Sequence, residues 1–223
     1  MVYQLVLLAA LTLQALATEL VYVPVNRTAL LLSCKTSSTY PDRGTIGFCA
    51  CPIGQLASGL SCTGPECQDV GLGCARYPGF NGSEASTINT NLPSSRTHPA
   101  YNNVTSGITR RISDETNQNW YTCPAGNIVA GISCAETNCG NLFVYCAPVK
   151  GNNPFDFRVS TQGCRWTPFT DDAAGGKQEC GVNEVMKGVR CLGNNCARVS
   201  AECCPFRALA GTFLLYPYFP YST

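Results

Sequence analysis

Apolar and polar positions alternate in three stretches of this chain, and each stretch is interrupted by a glycine and closed by a cysteine. In the first, the apolar positions are Leu56, Leu60, Val70 and Leu72. In the second they are Ile128, Ile132, Leu142 and Val144, and in the third Val185, Val189, Val199 and Ala201. The even spacing within each run puts these side chains on one face of an extended strand. Two such runs joined by the four residues TGPE, AETN or LGNN predict a β-hairpin with one buried face. The joining residues are largely turn formers. Gly59, Gly131 and Gly188 interrupt the first strand of each hairpin at the same place, which in a strand interior marks a bulge or a close backbone approach.

The cysteines show that these are three copies of one unit. Counted from Cys51, Cys123 or Cys180, cysteines recur at offsets 0, 11, 16 and 23, and the glycine always stands at offset 8. Offsets 11 and 16 flank the turn on opposite strands, and offsets 0 and 23 fall near the open end of the hairpin. The register therefore predicts nested bridges: Cys62–Cys67 inside Cys51–Cys74, Cys134–Cys139 inside Cys123–Cys146, and Cys191–Cys196 inside Cys180–Cys203. Four cysteines allow three connectivities, so the assignment rests on geometry. Of the remainder, Cys34 is assigned to Cys49 and Cys164 to Cys204. A bridge of this kind contributes ~2–4 kcal/mol.

A second echo lies upstream. Asp42, Asp114 and Asp171 each precede the first cysteine of a unit by nine residues. An aspartate after Ser, Thr or Pro closes a turn through its side chain, and a repeated ligand or cation contact is the alternative role. The units span 18–76, 107–150 and 151–205. A polar linker occupies 77–106, rich in Asn, Ser, Thr and Pro, and an aromatic tail 206–223. The expected architecture is one all-β domain of three homologous, disulfide-stapled repeats in a pseudo-threefold, β-prism-like arrangement.

The segments "CPIGQLASGL…DVGLGC" and "CPAGNIVAGI…NLFVYC" resemble repeats of the vitelline membrane outer layer family, in which three sheets form a β-prism. "NWYTCPAGNIVAGIS" also resembles the dermatopontin repeat F-x-x-x-C-P-x-G-x-x-I-x-G-I. The third unit has CGVN in place of CP-x-G, and a tight C-x4-C turn replaces the longer acidic loop of both families. The resemblance covers about half the chain and implies a secreted coat, matrix or glycan-binding protein.

Compartment follows from the N-terminus and the thiols. Residues 1–17 have the apolar core and A-x-A end of a secretory signal peptide, although their start lacks Lys and Arg. All sixteen cysteines follow it, an even number suited to an oxidising, extracellular setting. A chain of this length buries a core unaided, so the bridges serve durability against proteases and denaturants. No later apolar run reaches the ~18–20 residues of a membrane span. Charged residues make up only 13% of the chain, and fifteen basic residues nearly balance fourteen acidic ones, leaving no footprint for nucleic acid. Asn26, Asn81 and Asn103 head glycosylation sequons.

Enzymatic classes fit poorly. C-x4-C without histidine is not the usual zinc-ribbon spacing, and no C-x-x-C offers a redox thiolate. With the cysteines paired, no thiol nucleophile remains for a Cys/His hydrolase, and the lone His98 stands in a polar segment. Asp171-Asp172, Asp114-Glu115 and Glu184 are the carboxylates a glycosidase would have to draw on. The expectation is a secreted, non-enzymatic binding or structural protein, without metal or cofactor, that meets extracellular glycans or a secreted or surface protein. Trp120 and Trp166 are either ring-stacking faces for sugar or core side chains. A secreted effector, inhibitor or toxin and a carboxylate-dependent glycoside hydrolase are the alternatives.

Overall fold

The computed structural model describes residues 22–28, 31–35, 47–52, 55–64, 67, 69–80, 108–112, 119–135, 139, 141–149, 156–170, 176–193 and 196–209; for 31–35, 47–48, 108–111, 135 and 141 it describes the backbone only. Residues 1–17, the aspartates Asp42, Asp114 and Asp171, the sequons at Asn81 and Asn103, and the tail beyond Leu209 lie outside the described residues.

The fold is all-β, built from open antiparallel sheets. Its strands are β1 (Tyr22–Pro24), β2 (Leu31–Lys35), β3 (Gly47–Ala50), β4 (Gln55–Thr63), β5 (Asp69–Arg76), β6 (Ile108–Ile112) and β7 (Trp120–Thr122). They continue with β8 (Asn127–Ala135), β9 (Asn141–Pro148), β10 (Phe157–Val159), β11 (Arg165–Trp166), β12 (Lys177–Glu179), β13 (Glu184–Leu192) and β14 (Arg198–Leu209). The three long hairpins, β4–β5, β8–β9 and β13–β14, fall on the three alternating stretches of sequence. No helix among the described residues is long and apolar enough to cross a membrane.

Each hairpin is the centre of its own sheet, and the sheets share one plan. The first runs β12-β4-β5-β2 and the second β3-β8-β9-β6. In the third, β7 and β11 flank β13–β14, while β1 and β10 pair with the far end of β14. One edge strand of each sheet comes from another unit. β3, just before Cys51, pairs with β8 of the second unit; β7, just before Cys123, pairs with β13 of the third; β12, just before Cys180, pairs with β4 of the first. The exchange is cyclic.

The glycine at offset 8 marks the point of exchange. Register shifts between Ala57 and Gly59, Val129 and Gly131, and Met186 and Gly188, so the residue at offset 7 is bulged each time. The bulged carbonyl accepts from the first cysteine of the visiting unit: Cys180 N to Ser58 O at 2.8 Å, Cys51 N to Ala130 O at 3.4 Å, and Cys123 N to Lys187 O at 2.8 Å. The bulge thus carries the ladder one residue past the end of the short guest strand.

The bridges gain a role that hairpin geometry alone does not suggest. The structure joins Cys62 to Cys67, Cys134 to Cys139 and Cys191 to Cys196 across the turns. The second member of each pair has a positive φ, between 51° and 55°, where the chain reverses. Cys51–Cys74, Cys123–Cys146 and Cys180–Cys203 span 5.3–5.6 Å between Cα atoms. The first cysteine of each follows a guest strand, so the bond ties the edge of one sheet to the middle of the next instead of closing a hairpin's open end. Cys164 is bonded to Cys204. Cys49 is also disulfide-bonded, while the Cys34–Cys49 assignment depends on a side chain outside those described.

All twelve repeat cysteines lie in the central core, interleaved with Leu60, Leu72, Ile132, Val144, Val189 and Val199. A second core closes one end, where Leu56, Ile128 and Val185 meet an aromatic cluster. There Phe206 packs edge-on to Tyr77 at 4.9 Å and stacks on Phe157 at 5.3 Å, with Phe80 edge-on to both phenylalanines. Two assigned boundaries therefore fall inside packed structure. Tyr77 and Phe80 open the polar linker in sequence yet are buried, and β14 continues through Phe206 and Ala208 into what reads as the tail.

Candidate functional site

The strand period decides which side chains leave the core. On β14 Val199, Ala201 and Cys203 point inward, so Arg198, Ser200 and Glu202 share the outer face. Register then places Gly188 and Arg190 of β13, Trp120 and Thr122 of β7, and Trp166 of β11 on that same face. Trp120 sits directly opposite Arg190, and Glu202 lies between Gly188 and Trp166.

Arg190 is held by aromatic faces. Its guanidinium carbon stands 4.9 Å from the centre of the Trp166 ring and 4.3 Å from that of Phe169. Nη2 donates to the Thr167 carbonyl at 3.4 Å, whereas the buried Nε has no hydrogen-bond partner. The Thr122 hydroxyl donates to Glu202 at 2.5 Å. Trp120 is 57% exposed, one of two large apolar side chains that stand open among the described residues. Of the two tryptophans, then, Trp120 presents a free ring and Trp166 is half-buried as a support for Arg190.

The segment after β11 fixes this platform. Thr167 and Thr170 lie along β14, where their hydroxyls accept from the amides of Ala201 and Val199, both at 3.0 Å, and their own amides donate back to the same two residues. Ser200 adds a 2.7 Å bond to the Thr167 carbonyl. Side-chain oxygens thus complete the ladder where regular strand ends.

Glu184, Asp156 and Glu179 are structural clamps. Glu184 receives a two-pronged contact from Arg165 and a 2.6 Å bond from the Gly181 amide. Tyr22 and Arg158 both donate to Asp156 and hold its carboxyl below the usual range, chiefly through the Tyr22 hydroxyl. Lys177 and Arg27 do the same for Glu179. Cys164, Glu202 and Cys204 bring potential ligand atoms within 4.8 Å of one another, but both sulfurs are spent in the Cys164–Cys204 bond.

Lys187 joins Arg190, Arg198 and Glu202 among the residues that the sequence pattern does not single out. Lys187, at the bulge of β13, is 3% exposed, and its ammonium donates to the carbonyls of Cys123, Pro124 and Asn127 at 2.8, 2.9 and 3.2 Å. Burial pushes its pKa down, partly countered by Glu202. It pins the CPAGN turn of the second unit onto the third. The equivalent Ser58 instead hydrogen-bonds the Tyr77 hydroxyl at 2.7 Å. At Asn26 the side chain is exposed, while the next residue, Arg27, is tied to Glu179 and to the Cys180 carbonyl.

Compared with protein-family models, curated proteins and solved structures, the chain has no significant match. The chemistry of the site has to be argued from the site itself.

Proposed function

We propose that this is an extracellular binding protein that takes a glycan on the outer face of its third sheet, acting by binding and not by catalysis. The observation that carries the reading is Trp120, an exposed indole on a disulfide-stapled sheet, in register with a positioned arginine. An aromatic face ordered in advance gives a pyranose ring a large contact at small entropic cost. Glu202 and Arg190 supply the acceptor and donors that orient hydroxyls around it.

The scaffold suits that role. We read the three sheets as a β-prism with pseudo-threefold symmetry, in line with the resemblance to vitelline membrane outer layer repeats. The cyclic exchange of edge strands and the inter-sheet bridges support this arrangement. Seven disulfides among the described residues fit a protein exported to an oxidising compartment.

The test is an array of neutral and charged glycans probed with the full secreted chain and with Trp120→Ala. Binding by the wild type that is lost in the variant is the expected result. Silence across the array at micromolar protein sinks the reading. Because Trp120 stands clear of the core, its replacement leaves folding intact.

A further inference from the structure

Resting on that reading, we infer that the glycan is anionic, and that Arg190 and Arg198 of the third unit recognise its carboxylate or sulfate groups. The argument begins with a comparison inside the molecule. The three hairpins share their cysteines, bulge and inward residues, so a side chain that departs from its two counterparts on the outer face is not demanded by the scaffold. At offset 10 the first two units carry serines that are covered, Ser61 and Ser133, where the third has the half-buried Arg190. At offset 18 they carry Asp69 and Asn141 where the third has Arg198. Opposite offset 10, on the guest strand, stand Lys177 and Phe48 in the first two sheets and Trp120 in the third. Two arginines and an open indole have thus been gathered on one sheet of three.

Among the described residues neither arginine has a carboxylate partner. Arg190 is stacked between rings with no carboxylate in contact, and its Nη1 has no hydrogen-bond partner among the described residues. Arg198 is exposed and makes no ion pair or hydrogen bond there either. Glu202, the one acid of this face among the described residues, is engaged by Thr122. Arg198 faces Leu192, two residues along from Arg190, which sets the two arginines on a strand diagonal of about 7–8 Å. Trp120 is the direct neighbour of Arg190. The Arg190 side chain runs from that position across β14 to the rings of Trp166 and Phe169, so a sugar chain that starts on Trp120 meets the guanidinium, and Arg198 beside it, as it extends over β14. A planar guanidinium meets a carboxylate or sulfate through paired N–H donors. With fifteen basic and fourteen acidic residues in the whole chain, attraction of a polyanion has to come from a local patch of this kind.

The experiment titrates the full chain with three probes: oligogalacturonate carrying carboxylates, dextran sulfate carrying sulfates, and unmodified dextran. The variants are Arg190→Gln, Arg198→Gln and Trp120→Ala, with circular dichroism as a check that each folds. Binding of at least one charged probe, on the order of tenfold tighter than dextran and weakened on the order of tenfold by either arginine variant, is the expected outcome. Binding of oligogalacturonate alone names a uronate ligand, and binding of dextran sulfate alone names a sulfated one. Both charged probes binding supports recognition of either group. Equal affinity for dextran overturns the anionic preference while leaving the glycan reading intact; no binding to any glycan, here or on the array, overturns both. Charged-probe binding that survives both arginine changes moves the ligand off this face and overturns the inference. Arg198 is exposed, so its variant stays informative even if Arg190→Gln disturbs the packing of Trp166 and Phe169.

Discussion

Replacing Gly188 with alanine tests whether the repeated glycine is there for space. Gly188 has no positive φ, so backbone conformation does not require it. A β-carbon at this position would lie 2.8 Å from the Tyr121 carbonyl of the guest strand, 2.6 Å from the Glu202 carboxylate and 3.2 Å from the Glu202 Cβ. The carboxylate can swing aside at the cost of its bond from Thr122, but the Tyr121 carbonyl is held in the β7–β13 pairing and cannot. Overpacking of this kind costs ~1–3 kcal/mol, against about 0.4–1 kcal/mol that alanine returns by restricting the unfolded chain. The net loss is about 1–2 kcal/mol, a fall in Tm of about 2–8 °C for a chain of this size. Denaturant unfolding with disulfides intact is the assay, run in parallel on Glu202→Ala and on the double variant. The double variant recovers only part of the loss, because the backbone contact remains. An alanine variant at least as stable as the wild type would refute the reasoning that the guest strand needs a bare backbone here.

Lys187→Met removes an ammonium that donates to three carbonyls of the neighbouring turn and costs about 1–3 kcal/mol in urea unfolding. Burial depresses the folded pKa of this lysine below its ordinary 10.5, so the unfolded chain binds the proton more tightly. The folded state then gains as pH rises from the folded pKa towards 10.5, and the wild type's advantage over Lys187→Met widens across that window; a gap that narrows there contradicts the assignment. Tyr77→Phe deletes a buried hydroxyl that bonds Ser58 and donates to the Glu184 carbonyl, and lowers stability by about 1–2 kcal/mol in the same assay. The twelve repeat cysteines are at most 8% exposed. Thiol trapping followed by mass spectrometry should find their bridges intact after mild reductant under native conditions and open once denaturant is added. Early labelling without denaturant counts against a sulfur-filled core.

Much of this architecture can be read from local pattern. Alternation over Leu56–Leu60 and Val70–Leu72, with a turn between cysteines, is enough to place a hairpin, because period two and turn chemistry are both local. Beyond Cys203 the buried positions change phase to Cys204, Phe206 and Ala208, so the alternation of Val199, Ala201 and Cys203 does not by itself carry the strand into the tail. Tyr77 and Phe80 were masked by the polar residues that follow them, though two aromatics around Pro-Gly signalled a packed turn. What local pattern does not contain is partnership. The three-residue strand Lys177–Glu179 carries no hydrophobic signature, and its host lies more than a hundred residues away in sequence. A lysine inside a strand reads as solvent-facing, and Lys187 is buried only because a bulge turns it onto carbonyls from another unit. For the binding face, the tryptophans were visible as candidates, while Arg190, Arg198 and Glu202 gain meaning only from register. The repeated aspartates lie outside the described residues.

The cyclic loan of edge strands makes the chain behave like a knot of three hands, each gripping the next wrist. A protease that cuts once between the first and second units, anywhere from 81 to 107, severs the polypeptide without separating the pieces. The amino-terminal piece still inserts β3 beside β8, and its β4 still holds β12 from the other piece. Release would require several ladders to open together. A protein made this way can be nicked and go on presenting the same surface, so its working lifetime is set by concerted opening and not by its most exposed peptide bond.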